Sequence, residues 1–196
     1  MTPRIAAIIL AAGQARRMGA NKLLADIAGK PVIRHTVEAV CASTAAPIIV
    51  VVGHQSDDVR TAVQALPVKI VENADYAEGL STSLICGVKS LPDDMDGFLV
   101  ALGDMPLVSP QTIDAMAAHF DPSAGHSIIV PVCGGRRGNP VLWAAALRAE
   151  FYSLTGDKGA KHLMALHADL VYELEIQTTA VLTDIDTPED LCTLRQ

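Results

Sequence analysis

The sequence predicts an α/β fold, a three-layer α/β/α sandwich around a mostly parallel sheet. Three observations carry that prediction. Short β-branched and aliphatic runs recur along the chain, helical stretches alternate with them over the first 132 residues, and each run stops at Gly, Asn, Asp or Pro. Runs that are apolar throughout belong to strands covered on both faces, as in a parallel sheet between helical layers. At 196 residues, 50% of them hydrophobic, the chain fits one domain with a sizeable core. No repeat, low-complexity tract or linker divides it, so 1–196 is expected to be a single domain.

In order, the expected strands are Ile5–Leu10, Ile48–Val52, Val68–Val71, Phe98–Leu102 and Ile128–Val132. Between them lie helical stretches at Pro31–Cys41, Asp57–Ala65 after Ser56, Ser83–Ser90 and Gln111–His119. Ser109 as N-cap with Pro110 at the first helical position marks a clear start, and Ser81 or Ser83 is a cap for the helix before it. After Val132 the pattern loosens into a turn-rich stretch with Gly134, Gly135, Gly138 and Pro140. A helix near Lys158–Ala168 and strands at Val171–Ile176 and Ala180–Leu182 follow. Thr187-Pro188 starts a last helix, with Glu189 and Asp190 at its electropositive end.

No apolar stretch approaches the ~20 residues that a membrane-spanning helix needs. Ile5–Leu10 runs straight into a basic loop instead of a cleavage site, so a soluble, cytoplasmic protein is expected. Cys41, Cys86, Cys133 and Cys192 form no CxxC pair and read as buried thiols. The six histidines show no metal-ligand spacing; His162 and His167 read as surface residues, and Trp143 as core or a pocket wall. A net charge of −7 argues against nucleic acid as a partner. That total hides an asymmetry. Residues 1–34 hold six cations, Arg4, Arg16, Arg17, Lys22, Lys30 and Arg34, against Asp26 alone. Such a concentration suits a small polyanion.

The first strand opens into Leu10-Ala11-Ala12-Gly13, then Arg16-Arg17-Met18-Gly19 and Asn21-Lys22. Small residues at 11 to 13 let a ligand approach the backbone, whose free amides at a strand end offer donors to an anion; Arg17 and Lys22 add charge. The loop is neither a Walker A motif nor a Rossmann fingerprint, since Gly13 and Gly19 are six apart and no Gly-Lys-Ser/Thr is present. By composition alone it also fits a glycine turn with solvated cations. The order of residues resembles the signature of the MobA-like nucleotidyltransferases, which have a Rossmann-like nucleotide-binding fold, and most of all the molybdenum cofactor cytidylyltransferases. Guanylyltransferase relatives usually open Leu-Ala-Gly-Gly with an acidic residue before the Lys, where this chain has Ala12 and Asn21. Many relatives also carry Ser or Thr where this chain has Ala15.

Phe98–Leu102 runs into Gly103-Asp104-Met105-Pro106. A carboxylate in a glycine turn at a strand's carboxyl end sits where ligands dock in this architecture. Mg²⁺ needs only one or two protein carboxylates beside phosphate oxygens, and Asp186, two residues from Asp184, is the second candidate. Asp186 could instead cap the last helix, although Thr187 can do that. The resemblance makes Asp104 the metal-binding aspartate and puts Asp186 where relatives carry Asp or Asn. It also implies that Leu10, Ala11, Ala12, Gly13, Gly79 and Ser83 line the nucleotide, with Asn73 a further candidate.

Arg136-Arg137-Gly138-Asn139-Pro140 and Gly156-Asp157-Lys158-Gly159-Ala160-Lys161 are basic, glycine-bearing turns. Charges at turns are often only solvated, but two such turns suit an anionic second substrate. They resemble the Gly-Asn-Pro and Gly-Asp-x-Gly-Ala-Arg segments of the molybdenum cofactor enzymes, which makes Arg136, Arg137, Gly138, Asn139, Asp157 and Lys161 the acceptor set. Lys161 stands where Arg is usual and lacks its bidentate fork.

The implied activity is Mg²⁺-dependent transfer of CMP from CTP to the phosphate of molybdenum-molybdopterin, with Mn²⁺ as the alternative ion. Arg17, Lys22 and Asp104 would be its catalytic residues. About 1–132 would serve the nucleotide, and about 133–196 the acceptor and the completion of the metal site. A molybdenum-dependent oxidoreductase or its chaperone is the implied protein partner. Rival readings are a cytidylyltransferase for a sugar or alcohol phosphate such as methylerythritol phosphate, a GTP-using guanylyltransferase, and a non-catalytic cofactor chaperone.

Overall fold

The computed structural model describes residues 2–13, 21–157 and 159–194. Along the chain its elements begin with β1 (Ile5–Ala11), the small hairpin β2 (Asp26–Ile27) and β3 (Lys30–Pro31), α1 (Val32–Cys41), β4 (Ile48–Val52), α2 (Ser56–Ala62) and β5 (Lys69–Glu72). There follow α3 (Leu80–Lys89), β6 (Gly97–Leu102), α4 (Pro110–Ala118), β7 (Ile128–Cys133), β8 (Arg136–Arg137) and β9 (Val141–Ala144). The last are α5 (Lys161–Leu166), β10 (Val171–Glu175) and α6 (Pro188–Leu194).

The main sheet has the order β10-β7-β9-β6-β1-β4-β5, with β8 paired to β7 beside it. β1 runs parallel to β4 and β6, β4 to β5, and β7 to β10, whereas β9 is antiparallel to both β6 and β7. Two antiparallel pairings in succession restore direction. The carboxyl ends of β10, β7, β6, β1, β4 and β5 therefore share one edge of the sheet.

Every residue of β1 is buried because both faces are covered. Ile5, Ala7, Ile9 and Ala11 face a core with Ile33, Val37 and Val40 of α1, Val59 of α2 and Ile113 and Met116 of α4. Ala6, Ile8 and Leu10 face the other core, with Leu84 and Val88 of α3, Trp143, Phe151 and Leu163 of α5. These are the three layers that the apolar runs predict. Phe151 makes edge contacts with Phe98 and Trp143, each with ring centroids 5.1 Å apart, which settles Trp143 as core. A third small cluster of Ile27, Val32, Ile185 and Leu191 clamps the carboxyl-terminal segment against the β2–β3 hairpin.

Ser109 caps α4 as expected, its hydroxyl accepting from Thr112 N–H, and Thr187 caps α6 by accepting from Asp190 N–H. Four expectations fail. Neither Ser81 nor Ser83 caps α3, which starts earlier, after Gly79. The segment at Ala180–Leu182 lies in a 3-10 turn, Thr179–Leu182, instead of a strand. The helix near Lys158–Ala168 is confined to Lys161–Leu166. The cysteines are free but not fully buried, and Cys192 is exposed. The strand Val141–Ala144 was not expected: the Gly138 to Pro140 turn signals masked a four-residue apolar run.

Candidate active site

The edge formed by the strands' carboxyl ends is stitched together by backbone bonds that pass from one strand end to the next. Gly103 N–H donates to Leu10 C=O at 3.0 Å, His54 N–H to Ala12 C=O at 3.2 Å, and Asn73 N–H to Val52 C=O at 2.8 Å. β1, β4 and β6 are each followed within two residues by a glycine: Gly13, Gly53 and Gly103. A crevice outside these ends is where an open α/β sheet places its ligands.

At the centre of this edge stands Asp104, immediately beyond β6. Lys22, in a 3-10 turn from Lys22 to Leu24, lays its Nζ 2.6 Å from Asp104 Oδ2 and 2.6 Å from Asp186 Oδ1. Asn21 holds that turn by accepting from Leu23 N–H, while its own buried amide nitrogen has no hydrogen-bond partner among the described residues. Asp186 arrives from the chain's far end because Ile185 N–H donates to Asp104 C=O at 3.0 Å and the Ile185 side chain is buried. Asp190 Oδ2 accepts from the Asp186 and Thr187 amides and fixes the approach. One carboxylate oxygen from each of Asp104, Asp184 and Asp186 lies within 4.8 Å of the other two.

Burial raises the Asp104 pKa, the Lys22 ammonium offsets this in part, and the Asp184 charge pushes it further up. Burial alone would lower the Lys22 pKa, but the charges and hydrogen bonds of Asp104 and Asp186 overcome it and raise it. Asp104 Oδ1 is buried and has no hydrogen-bond partner among the described residues. A buried carboxylate oxygen left without a donor is costly unless a ligand completes it. Three clustered carboxylates with one such oxygen fit a hard, oxygen-loving divalent cation.

On the β1–β4–β5 side, Ala12, Gly53 and Tyr76 meet closely. A Cβ on Gly53 would fall 2.6 Å from Tyr76 Cβ and 2.9 Å from Ala12 Cβ, so only glycine fits. Asn73 donates to Thr82 Oγ1 at 2.9 Å and Ser83 Oγ at 3.0 Å and accepts from Asp75 N–H, which sets the start of α3 against the end of β5. Of the residues expected to line a nucleotide, Ala12, Gly79 and Ser83 lie on this flank. Leu10 and Ala11 point into the two cores, so they can offer only backbone. Gly13 is exposed at the loop's mouth. Arg17 lies outside the described residues, as does Lys158.

The two basic turns are placed differently. β8 pairs with the carboxyl end of β7, so Arg136 and Arg137 stand on the same edge as Asp104, on the side away from β1. Both are exposed, and Arg137 Nε pairs with Glu173 at 2.6 Å. Gly138 N–H donates to Pro131 C=O and Asn139 N–H to Val181 C=O, so these two amides are already used. Lys161 is exposed at the start of α5. Asp157 Oδ1 instead accepts from Leu80 N–H at 3.1 Å, tying its turn to α3. Sequence reasoning missed this tie, together with Gly53 and Tyr76; the recurrence of Gly after β1, β4 and β6 was the available signal for Gly53.

Among the described residues no helix is long and apolar enough to cross a membrane. Several known proteins share this architecture. A nucleotidyl transferase from Methanothermobacter thermautotroptrophicus superposes with a TM-score of 0.85 at 30% identity, covering 98% of this chain and 96% of that one. Nicotine blue oxidoreductase of Paenarthrobacter nicotinovorans is 27% identical over 195 residues, covering 96% of this chain and 95% of the relative. A manganese complex of Rv0371c from Mycobacterium tuberculosis H37Rv, 24% identical with a TM-score of 0.79, covers 99% of this chain and 98% of that one and shares the fold. The bifunctional protein GlmU of Thermus thermophilus is 34% identical over 124 residues, 62% of this chain, and the match spans 27% of that longer protein. The MobA-like NTP transferase domain model matches residues 7–171, which takes in Lys22, Asp104 and Asp157 and stops short of Asp184 and Asp186. With the three-layer sheet and the Lys22–Asp104 pair inside that match, the chain belongs to the MobA-like NTP transferase domain family.

Proposed function

We propose that the protein is a divalent-metal-dependent nucleotidyltransferase that moves CMP from CTP to the phosphate of a molybdenum-molybdopterin acceptor and releases pyrophosphate. The observation that carries this reading is the cluster at the carboxyl edge of the sheet: Lys22 between Asp104 and Asp186, with Asp104 Oδ1 unpartnered among the described residues beside them. Asp104 and Asp186 would hold Mg²⁺, or Mn²⁺ in its place, with Asp184 close enough to add an oxygen. When bound, that ion supplies charge neutralisation and polarisation of a phosphate oxygen.

The remaining work falls to the chain itself. An attacking phosphate is already ionised, so the protein has to position it and neutralise charge, with no general base required. Lys22, its ammonium kept protonated by two carboxylates, pairs with the departing pyrophosphate oxygens. Arg17 belongs to the same task by its place in the loop sequence. Ala12, Gly79 and Ser83 line the base, and Ser83 Oγ, which accepts from Asn73, has its own proton to give. Arg136, Arg137 and Lys161 orient the acceptor's anionic end.

The test is pyrophosphate release, measured with each ribonucleoside triphosphate in Mg²⁺ or Mn²⁺ against an acceptor panel of molybdenum-loaded molybdopterin, methylerythritol phosphate and sugar phosphates. Turnover confined to CTP and the pterin supports the reading. Turnover with GTP, or with a sugar phosphate alone, replaces the donor or the acceptor and keeps the class. A molybdenum-dependent oxidoreductase or its chaperone would then be the protein receiving the product.

A second reading has one observation in its favour, the near full-length match to an oxidoreductase. Consumption of a reduced nicotinamide cofactor, with no pyrophosphate released from any triphosphate, would favour it. The Lys22, Asp104 and Asp186 cluster is not needed for hydride transfer, which is why nucleotidyl transfer is the preferred reading.

A further inference from the structure

The first turn of α3 is held by a distant segment. An α-helix leaves its first amides without intrahelical partners, and a side chain just before it usually fills that need. Here the residue before α3 is Gly79, which has no side chain to offer. Leu80 N–H donates instead to Asp157 Oδ1 at 3.1 Å, and Ser81 N–H to Gly156 C=O at 3.1 Å. Gly79 makes this possible. Its φ of +121° suits glycine, and a Cβ there would fall 2.7 Å from Asp157 Oδ1 and 3.0 Å from the Gly156 carbonyl. Gly159 packs from the same turn, where a Cβ would lie 3.2 Å from Leu80 Cδ2.

The residues so joined belong to different tasks. Gly79 to Ser83 lies against the end of β5, tied there by Asn73, while the turn carrying Asp157 precedes Lys161 and α5. A carboxylate is a poor contact for an anionic acceptor, and Asp157 spends its Oδ1 on the positive end of a helix, where a negative charge is favoured. We propose that Asp157 is a positioning residue that locks the acceptor-side turn to the nucleotide-side start of α3, so that the two substrate segments order together. This rests on the nucleotidyltransferase reading above.

The coupling has a direct consequence. Nucleotide bound against Gly79 and Ser83 orders the turn at Gly156 and Asp157, which is then ready for the second substrate. The test compares wild type, Asp157→Ala, Asp157→Asn and a control, Lys89→Gly, which weakens the exposed far end of the same helix. CTP affinity is measured by calorimetry with Mg²⁺, and amide exchange is followed in the peptide covering residues 155–161. Wild type is expected to show slowed exchange there when CTP binds. Asp157→Ala should lose that protection and bind CTP at least fivefold more weakly. Asp157→Asn, which keeps an accepting oxygen, should stay within twofold of wild type, and Lys89→Gly should lower thermal stability without moving CTP affinity. A wild type that binds CTP, with Asp157→Ala binding it equally well, overturns the coupling alone. Asn as damaging as Ala also overturns it, because the carboxylate's charge, and not the hydrogen bond that ties the turn to α3, would then be the cause. A wild type that binds no triphosphate overturns the functional reading and the coupling with it.

Discussion

The two flanks of the sheet's carboxyl edge are built in opposite ways. Over β1, β4 and β5 the backbone ends are cross-linked, Gly53 is wedged against Ala12 and Tyr76, and Ser81, Ser83 and Asn73 are buried polar residues. Over β7 and β8 two arginines stand in solvent, and Arg137 has one exposed ion pair, its side chain 50% exposed and that of Glu173 49%. The first flank has its shape before any ligand arrives. The second offers charge on movable side chains. A preorganised site selects by fit, whereas an exposed cationic pair attracts by field and adapts to what it meets. This arrangement suits a donor recognised by its base and an acceptor recognised by its phosphate.

The largest expected effect comes from the centre, where the flanks meet. Asp104→Ala removes a carboxylate from the cluster and should lower turnover by about a thousandfold, the scale on which preorganised charge acts in a closed site. Circular dichroism should show the fold retained, since the strand ends are held by backbone bonds. Near-normal pyrophosphate release would remove Asp104 from the chemistry and leave the flanks unconnected by it.

Lys22→Ala tests the same junction from the cationic side. Without the ammonium, Asp104, Asp184 and Asp186 face one another with no counter-charge from Lys22, so the variant should melt lower at neutral pH. Added Mn²⁺ should then raise its melting temperature more than it raises that of wild type, because the ion replaces the missing charge. Equal shifts in the two proteins would mean that Lys22 does not share its place with a cation. Triphosphate binding should weaken far more than nucleoside binding; equal losses would make the lysine structural.

Gly53→Ala breaks the preformed flank. The added methyl meets Tyr76 Cβ and Cγ at 2.6 and 2.8 Å, atoms that a rotamer change cannot fully clear because Cβ is fixed to the backbone. Overpacking of this kind costs about 1–3 kcal/mol, to be read from the denaturation midpoint, with nucleotide affinity falling alongside it. Unchanged stability would show this flank to be as yielding as the other.

The same contrast governs what could be read from sequence. Strands β1, β4, β6 and β7 are unbroken apolar runs with turn residues at their ends, and the layers follow from that pattern alone. Asp104 and Asp186 stand beside a strand end and a helix start with strong local signals, whereas Lys22 is singled out only by the loop's resemblance; the structure brings the three side chains together, Lys22 Nζ lying 2.6 Å from each carboxylate. For Asp157 the family resemblance of its turn points to the acceptor. Its partner Leu80 is 77 residues away, and no local pattern reports such a contact. The start of α3 differs from its local sequence signal for the same reason: its first amides are capped from that turn and not by Ser81 or Ser83. The turn at Thr179–Leu182 shows the converse, since apolar residues with strand propensity are bent there by contacts to Asn139 and by the burial of Val181.

The smallest structural effect and the sharpest functional separation are expected from Arg137→Ala. Its ion pair with Glu173 is solvent-exposed on both sides, and pairs of that kind contribute about 0–1 kcal/mol, so the melting temperature should barely move. Nucleotide affinity should not move either, because the Gly53 and Ser83 flank lies across the edge beyond Asp104. What should change is the KM for the anionic acceptor, by about tenfold if one charge-assisted hydrogen bond of roughly 1.5 kcal/mol is lost. The Arg137→Lys variant should recover part of that loss by restoring charge without the fork. If Arg137→Ala instead weakens CTP binding and leaves the acceptor KM unchanged, the flanks have been assigned the wrong way round, and the exposed arginines belong to the triphosphate.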